Sequence, residues 1–245
     1  MVYIGIDLGT TYSCVSVIEN GNPKAIHHDD GKNIVPSVVA YGAEILVGNP
    51  ALNSNIDMSN VLYGTLDVSI LEMIGNNVDV IAVTGDIHLG GQDVDGRIMK
   101  YALTEFKKGS SYDIYKRPRL IRKLRTQCRE AKEFLSNNIE QTNILMEIND
   151  EVNLKVPLTK SQLNQLCSDL FTKAIRQVDL ALNTAQMTSN DIDYVILVGG
   201  SARIPRIREL LTEKFGRDKI KLDLNPDEIV SHGAAIIANA IQISI

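Results

Sequence analysis

Tryptophan is absent and phenylalanine occurs four times, so the aromatic platforms on which unpaired bases stack are scarce and a single-stranded nucleic-acid binder is disfavoured. Positive charge is not in excess either. Twenty-five basic residues stand against 30 acidic ones, a net charge of −5, and no global field draws the chain to nucleic acid or anionic lipid. Cys14, Cys128 and Cys167 are few, far apart and without a CxxC pair, which argues against zinc and fits buried thiols in a reducing compartment. No apolar run is long enough to cross a bilayer, and the opening MVYIGIDLG lacks the basic and apolar regions of a secretory signal. The expectation is a soluble, cytoplasmic chain with no membrane partner. His27, His28, His88 and His232 show no HExxH or similar spacing, and no Ser/His/Asp or Cys/His set assembles. What is present is core material: 44% hydrophobic residues in 245, enough for one large domain or two ordinary ones.

The organisation changes along the chain. Residues 2–7 and 13–19 alternate and are rich in β-branched side chains, with Gly-Thr-Thr between them, which predicts a β-hairpin; Asn20-Gly21-Asn22-Pro23 turns the chain again into 24–27. Downstream, Gly64-Thr65, a strand-like run from Leu66, a turn at Gly75-Asn76-Asn77 and a second run from Val78 repeat that order. At a constant offset Gly9-Thr10 meets Gly64-Thr65 and Asn20-Gly21 meets Gly75-Asn76. The chain thus carries a weak internal repeat of a hairpin that begins with a Gly-Thr loop. From Val94 the period becomes helical. Residues 119–135 place Ile121, Leu124, Cys128, Ala131 and Leu135 on one stripe, and 161–182 place Leu163, Leu166, Leu170, Ala174 and Val178 at helical spacing, with strand-like alternation over 144–157 between them. Residues 194–198 read as a short apolar strand running into Gly199-Gly200-Ser201, then a helix from Pro205 ending at Gly216. Asn225-Pro226-Asp227-Glu228 has the N-cap, first-turn Pro and third-position Glu of a helix start, and an apolar helix through Ile241 is expected. The class is therefore α/β. Residues 48–60 have little apolar periodicity and read as a linker or junction.

Three segments carry candidate chemistry. GIDLGTTYSC puts an acid at a strand end, then glycine and two hydroxyl residues, the composition that lets backbone N–H groups and hydroxyls converge on a triphosphate beside a hydrated Mg²⁺. It is neither a Walker loop nor a Rossmann fingerprint, and an ordinary hairpin turn accounts for the same residues. LYGTLDVS repeats the pattern with Asp67 as a second acid; alone, it is a strand after a turn. VGGSARIP sets paired glycines at a strand end, where a flat ligand can approach the backbone, with the Ser201 hydroxyl and the planar guanidinium of Arg203 for a purine face. A glycine turn serving packing alone is the alternative. The basic run over 116–129 reads as a solvated helix face, because aromatics are not interleaved with it.

GIDLGTTYSCVSV, GTLDVS, GDIHLGGQDVDGR, LRTQCREAKEFLS, LCSDLF, VILVGGSARIPRI and LNPDEIVSHGAA, in this order, resemble successive motifs of the ATPase domain of heat-shock 70 kDa chaperones of the DnaK type. The resemblance implies an actin-like ATPase fold, a duplicated ribonuclease-H-like architecture, and ATP or ADP with Mg²⁺ as ligands. By resemblance, Gly9, Thr10, Thr11 and Tyr12 form the first phosphate loop, Asp7 supports the hydrated metal, and Gly64 and Thr65 remain of the second phosphate loop. Asp7, Thr65 and Asp67 are the residues left on the catalytic side. Lys132 and Ser136 stand where the family contacts ribose and purine, and Gly199, Gly200, Ser201 and Arg203, with Asp227 of the NPDE turn, where it holds the base.

The same resemblance exposes departures. Between VGNPALN and GTLDVS the family carries a long segment, replaced here by about a dozen residues; with it go a lysine that contacts the terminal phosphates and an acid near the attacking water. A family D-L-G-G-G-T becomes Asn60-Val61-Leu62-Tyr63-Gly64-Thr65, so a carboxylate is an amide and two glycines that allow close phosphate approach carry side chains. Arg129 and Glu133 exchange the charges of an acid and a base position. The expected division is a partial first lobe over 1–50, a junction over 51–60 and a nearly complete second lobe over 61–245, with a helical subdomain at about 95–190. Three readings follow: a slow ATPase; a catalytically silent nucleotide or co-chaperone docking module; and a relic without a selected role. Adenine nucleotide, co-chaperones and nucleotide-exchange factors on the second lobe are the expected partners; a client-peptide domain after Ile245 is not expected.

Overall fold

The computed structural model describes residues 4–8, 12–27, 31–36, 39–41, 45–47, 66–74, 77–86, 88–137, 139–223 and 225–242. Its strands are β1 (Ile4–Leu8), β2 (Tyr12–Glu19), β3 (Asn22–Ala25), β4 (Ile34–Pro36), β5 (Val39–Tyr41), β6 (Ile45–Val47), β7 (Leu66–Ile74), β8 (Asn77–Asp86), β9 (Gln141–Glu147), β10 (Asn153–Thr159), β11 (Val195–Ile196) and β12 (Ile220–Lys221). Its helices are α1 (Gly91–Gly109), α2 (Pro118–Leu135), α3 (Lys160–Leu166), α4 (Ser168–Thr184), α5 (Pro205–Phe215) and α6 (Ile229–Gln242). The class is mixed α and β, and every strand pair is antiparallel except β11 with β12. The chain divides into two compact units interleaved in sequence: one of 1–63, 193–202 and 217–245, the other of 64–192 and 203–216.

In the first unit β2 is central, pairing with β1, β3 and β4. Asn20 and Gly21 make the β2–β3 turn at φ 53° and 80°, a left-handed pair that Asn-Gly adopts at little cost. α6 packs across β1, β2 and β3, so the C-terminal helix shares its unit with the N-terminal strands. A boundary at residue 60 with everything after it in one body does not describe this packing. The contact is partly polar: Ser16 and Ser231 are fully buried, their hydroxyls 2.7 Å apart, and Ser231 also donates to Cys14 Sγ at 3.2 Å. Asn33 donates to Glu228 Oε1 at 2.6 Å, tying the residues before β4 to the start of α6. That helix begins at Ile229, three residues later than the Asn-Pro-Asp-Glu signal predicts. Residues 226–228 form a turn in which Asn225 Oδ1 accepts from the Asp227 amide.

In the second unit the expected hairpin of the internal repeat forms: β7 and β8 pair from Leu66↔Asp86 to Ile74↔Asn77, with a bulge after Ile70. Ile70 and Ala82 face α4 through Ala181 and Leu182. The larger core joins α1, α2, β9, β10, α3 and α4 through Ile98, Leu124, Leu135, Ile144, Leu158 and Phe171. Leu124, Cys128, Ala131 and Leu135 are the buried stripe of α2, with Ile121 packed at its edge, as the 3.6-residue period requires. Residues 161–182 are two helices instead of one: Cys167, at φ −114°, separates α3 from α4. The apolar period runs on across this break, so the pattern does not reveal it. Thr159 and Gln162 cap α3 reciprocally, and Gly216 ends α5 at φ 88°, a left-handed position that favours glycine. Burial pushes the Cys128 and Cys167 thiols up to about 12, so both stay protonated and inert, and all three cysteines are free and buried.

Candidate functional site

In the first unit, Asp7 and Tyr12 stand on the two arms of the N-terminal hairpin: Asp7 pairs in register with Cys14, and Tyr12 opens β2 opposite Pro36. Gly9, Thr10 and Thr11 lie outside the described residues, as do Asn60, Leu62, Tyr63, Gly64 and Thr65. Partial burial raises the Asp7 carboxyl above its ordinary 3.8, because a desolvated carboxylate lacks the water that stabilises its charge. No group of three or more His, Cys, Asp or Glu able to hold a metal occurs among the described residues. Asp7 alone still suits a hydrated Mg²⁺, which keeps most of its waters and takes one or two carboxylates plus phosphate oxygens; a cation beside this carboxylate offsets its desolvation.

Gly199 and the NPDE turn are brought together. The Gly199 amide donates to Pro226 O at 2.6 Å, and the Ala202 amide back to Gly199 O at 3.1 Å. Gly199 sits at φ 77°, and a Cβ built on Gly199 or Gly200 meets no described atom within 4 Å. The glycine at 199 is therefore demanded by conformation, while the open space above both leaves their backbone approachable. Ser201 and Arg203 are both exposed in the 3₁₀ turn of Gly200–Arg203, and Asp227 lies one residue past Pro226.

In the second unit, Lys132 and Ser136 lie one helical turn apart at the end of α2, and Ser136 Oγ donates to Lys132 O at 2.9 Å. Lys132 is engaged: its ammonium lies 2.8 Å from Asp95 Oδ1 and donates to Gly91 O at 3.1 Å, the two side chains being 12% and 6% exposed. The ammonium is thus engaged within the unit by one ion pair and one carbonyl hydrogen bond. Desolvation raises the Asp95 carboxyl, and Lys132 pulls it back down in part, helped by Arg129 and Arg125. Arg129 and Glu133, the exchanged charges, lie 4.0 Å apart, one turn from each other. Asp67, on β7 opposite Gly85, is exposed, and its Oδ1 lies 2.7 Å from where a Gly85 Cβ would be. It is placed with β8, not with Lys132. Sequence reasoning missed Asp95 and the Gly91 carbonyl: they partner a lysine about forty residues away, and no local pattern marks such a pair.

The sequence profile of the Hsp70 protein family matches residues 3–63 and, overlapping, 53–243. The chain belongs to the Hsp70 family. It is 37% identical over 202 residues to heat shock cognate 70 kDa protein 3 of Dictyostelium discoideum, covering 82% of this chain and 32% of that protein. To heat shock 70 kDa protein BIP3 of Oryza sativa subsp. japonica it is 39% identical over 206 residues, 84% of this chain and 30% of that one. A Neurospora crassa heat shock 70 kDa protein is 33% identical over 202 residues. The chain spans about a third of the length of these Hsp70 relatives. Hsp70 membership brings the actin-like ATPase fold as the family architecture and nucleotide binding as the family chemistry, and the strands and helices described above form a mixed α and β chain consistent with it. No helix among the described residues is long and apolar enough to cross a membrane.

Proposed function

We propose that this chain is an ATP- and ADP-binding domain of an Hsp70-like chaperone that holds adenine nucleotide through its base-side residues and hydrolyses it poorly. The observation that carries the reading is the Gly199–Pro226 hydrogen bond. It sets the approachable glycines, Ser201 and Asp227 in one local arrangement, independent of the segment that the chain lacks. By family correspondence Gly199, Gly200, Ser201 and Arg203 would serve the base, and Lys132 and Ser136 ribose and purine. Asp7 would hold the hydrated Mg²⁺, whose charge offsets that of the phosphates, with Gly9, Thr10, Thr11, Tyr12, Gly64 and Thr65 as phosphate contacts.

Hydrolysis needs more. It depends on positioned cations and an oriented water at the terminal phosphate, and loss of one such group costs on the order of a thousandfold in rate. The missing lysine and acid, the amide of Asn60 and the side chains of Leu62 and Tyr63 together leave Asp7, Thr65 and Asp67 without the rest of the catalytic set. The family match in two stretches that overlap at 53–63 supports a junction there. By family correspondence 1–50 is a partial first lobe and 61–245 the second, while packing unites α6 with the N-terminal strands. A reducing, cytoplasmic location suits three free, buried cysteines. A silent docking module for co-chaperones is the second reading, favoured by the self-contained core of the helical unit. A steady-state ATPase assay with Asp7→Ala as contamination control tests the proposal: turnover at the level of the control is expected, and turnover matching an intact family ATPase domain, abolished by the substitution, overturns it.

A further inference from the structure

The two hairpins of the internal repeat pair alike. In the first unit Ser16 pairs with Ala25, Ile18 with Pro23 and Glu19 with Asn22; in the second Leu71 pairs with Val80, Met73 with Val78 and Ile74 with Asn77. The constant offset that aligns the Gly-Thr loops therefore aligns the ladders, and Cys14, Ser16 and Ala25 correspond to Ser69, Leu71 and Val80. Their surroundings differ. Cys14, Ser16 and Ala25 are buried on the face that α6 covers, where Ser231 reaches both Ser16 and Cys14. On β7 and β8 the corresponding face carries Leu71, Met73, Val78, Val80 and Val83, which are between 53% and 72% exposed. They share a side because alternate residues of a strand point the same way, and the bulge after Ile70 preserves this: Ile70 and Ala82 point to the opposite side, onto α4. The paired acids Glu72 and Asp79 alternate with this set and leave it apolar. One face of the hairpin is thus packed, and the other has the composition of a buried face without the cover its repeat has.

α6 is the helix with apolar surface to spare. Ser231 and Ala235 are fully buried, whereas Val230 and Ile237, seven residues apart on one stripe, and the adjacent Ile236 are exposed. That stripe lies about a third of a turn around the helix from the buried one. Apart from His232 the helix has no ionisable side chain, and a helix apolar on all sides is suited to burial on more than one of them. Among the described residues no other α-helix exposes more than one large apolar side chain.

We propose that the open face of β7 and β8 docks α6 of a second copy of this chain, along the stripe of Val230 and Ile237. The contact joins two different surfaces and each copy carries both, so a two-fold axis makes it twice and closes a dimer. Eight exposed apolar side chains of each copy enter it; at on the order of 100 Å² apiece they approach the roughly 800 Å² per partner of a stable association. Two hairpin faces set on each other would instead leave the α6 stripe in water.

Sedimentation velocity of the full chain without nucleotide, from about 1 to 100 μM, tests the proposal. A concentration-dependent dimer is expected. Met73→Lys with Val80→Lys, and separately Ile237→Lys, should each raise its dissociation constant at least about tenfold, because each buries an unpaired charge. Leu145→Lys, at a leucine of similar exposure on β9, should leave it unchanged. At a concentration where the hairpin variant and the α6 variant are each monomeric, mixing them restores one intact contact, so a heterodimer should sediment in the mixture and in neither sample alone. If lysine alters the circular dichroism, Met73→Ser with Val80→Thr, and Ile237→Ser, are read instead. A monomer at every concentration, which would assign the face to a different helix, overturns the proposal. So does an α6 variant that dimerises like the unsubstituted chain, or a mixture that associates no more than its parts.

Discussion

In the unit of residues 64–192 and 203–216 the buried side chains are large: Ile98, Leu124, Leu135, Ile144, Leu158 and Phe171 converge from three helices and a hairpin. In the other unit the described buried residues are mostly small or polar, among them Cys14, Ser16, Ala25, Ser231 and Ala235. Stabilisation per buried side chain scales with the apolar area removed from water, so the unit of 64–192 and 203–216 is held by packing. The other depends more on hydrogen bonds that are costly only when left unmade. The contrast concerns function directly. Lys132 and Ser136 sit on the well-packed unit, whereas Asp7, Tyr12, Gly199, Gly200, Ser201 and Asp227 belong to the thinner one.

The comparison breaks first at the core. Leu124→Ala should cost about 3–5 kcal/mol, since a fully buried leucine leaves a cavity that rigid neighbours do not fill, measured by urea unfolding followed through helix content. A loss as large from Ile220→Ala in the other unit would erase the contrast. Asp95→Ala comes next, about 3 kcal/mol, because it strands a buried Lys132 ammonium; replacing both by apolar residues should recover most of that. The pH dependence has a definite sign. The folded Asp95 carboxyl is raised, so between 3.8 and its raised value the folded state holds the proton more tightly than the unfolded one. Its contribution to stability therefore grows as pH falls through that window and is lost as pH rises. Asp95→Asn should flatten this part of the pH–stability profile, and an unchanged profile would count against the assignment. Ser231→Ala is the smallest, about 1–3 kcal/mol from leaving the Ser16 hydroxyl unpaired, and Ser16→Ala in the same chain should return much of it. Hydrogen exchange of α6 amides should report this change while α2 amides stay slow.

Much of the well-packed unit was legible. The stripe of Ile121, Leu124, Cys128, Ala131 and Leu135 has helical period, and Gly216 marks a helix end, because both signals are local. The break at Cys167 was hidden, since Leu163, Leu166, Leu170, Ala174 and Val178 keep one period across it. The placement of α6 on β1–β3 was hidden for a different reason: Ser16 and Ser231 are far apart in sequence, and nothing in either neighbourhood names the other. Of the candidate site, Gly199 could be read as a turn glycine, but its tie to Pro226 and the commitment of Lys132 to Asp95 are tertiary facts. The ligand roles themselves rest on family resemblance, not on spacing.

Calorimetric titration of the full chain with ADP and Mg²⁺, paired with the Arg203→Ala variant, tests the central claim most directly. The account predicts weak, saturable ADP binding, lowered at least about tenfold by the substitution, and stabilisation of the folded chain by about 1.4 kcal/mol at ten times the dissociation constant. Absence of binding at millimolar ADP, or binding indifferent to Arg203→Ala, would contradict it.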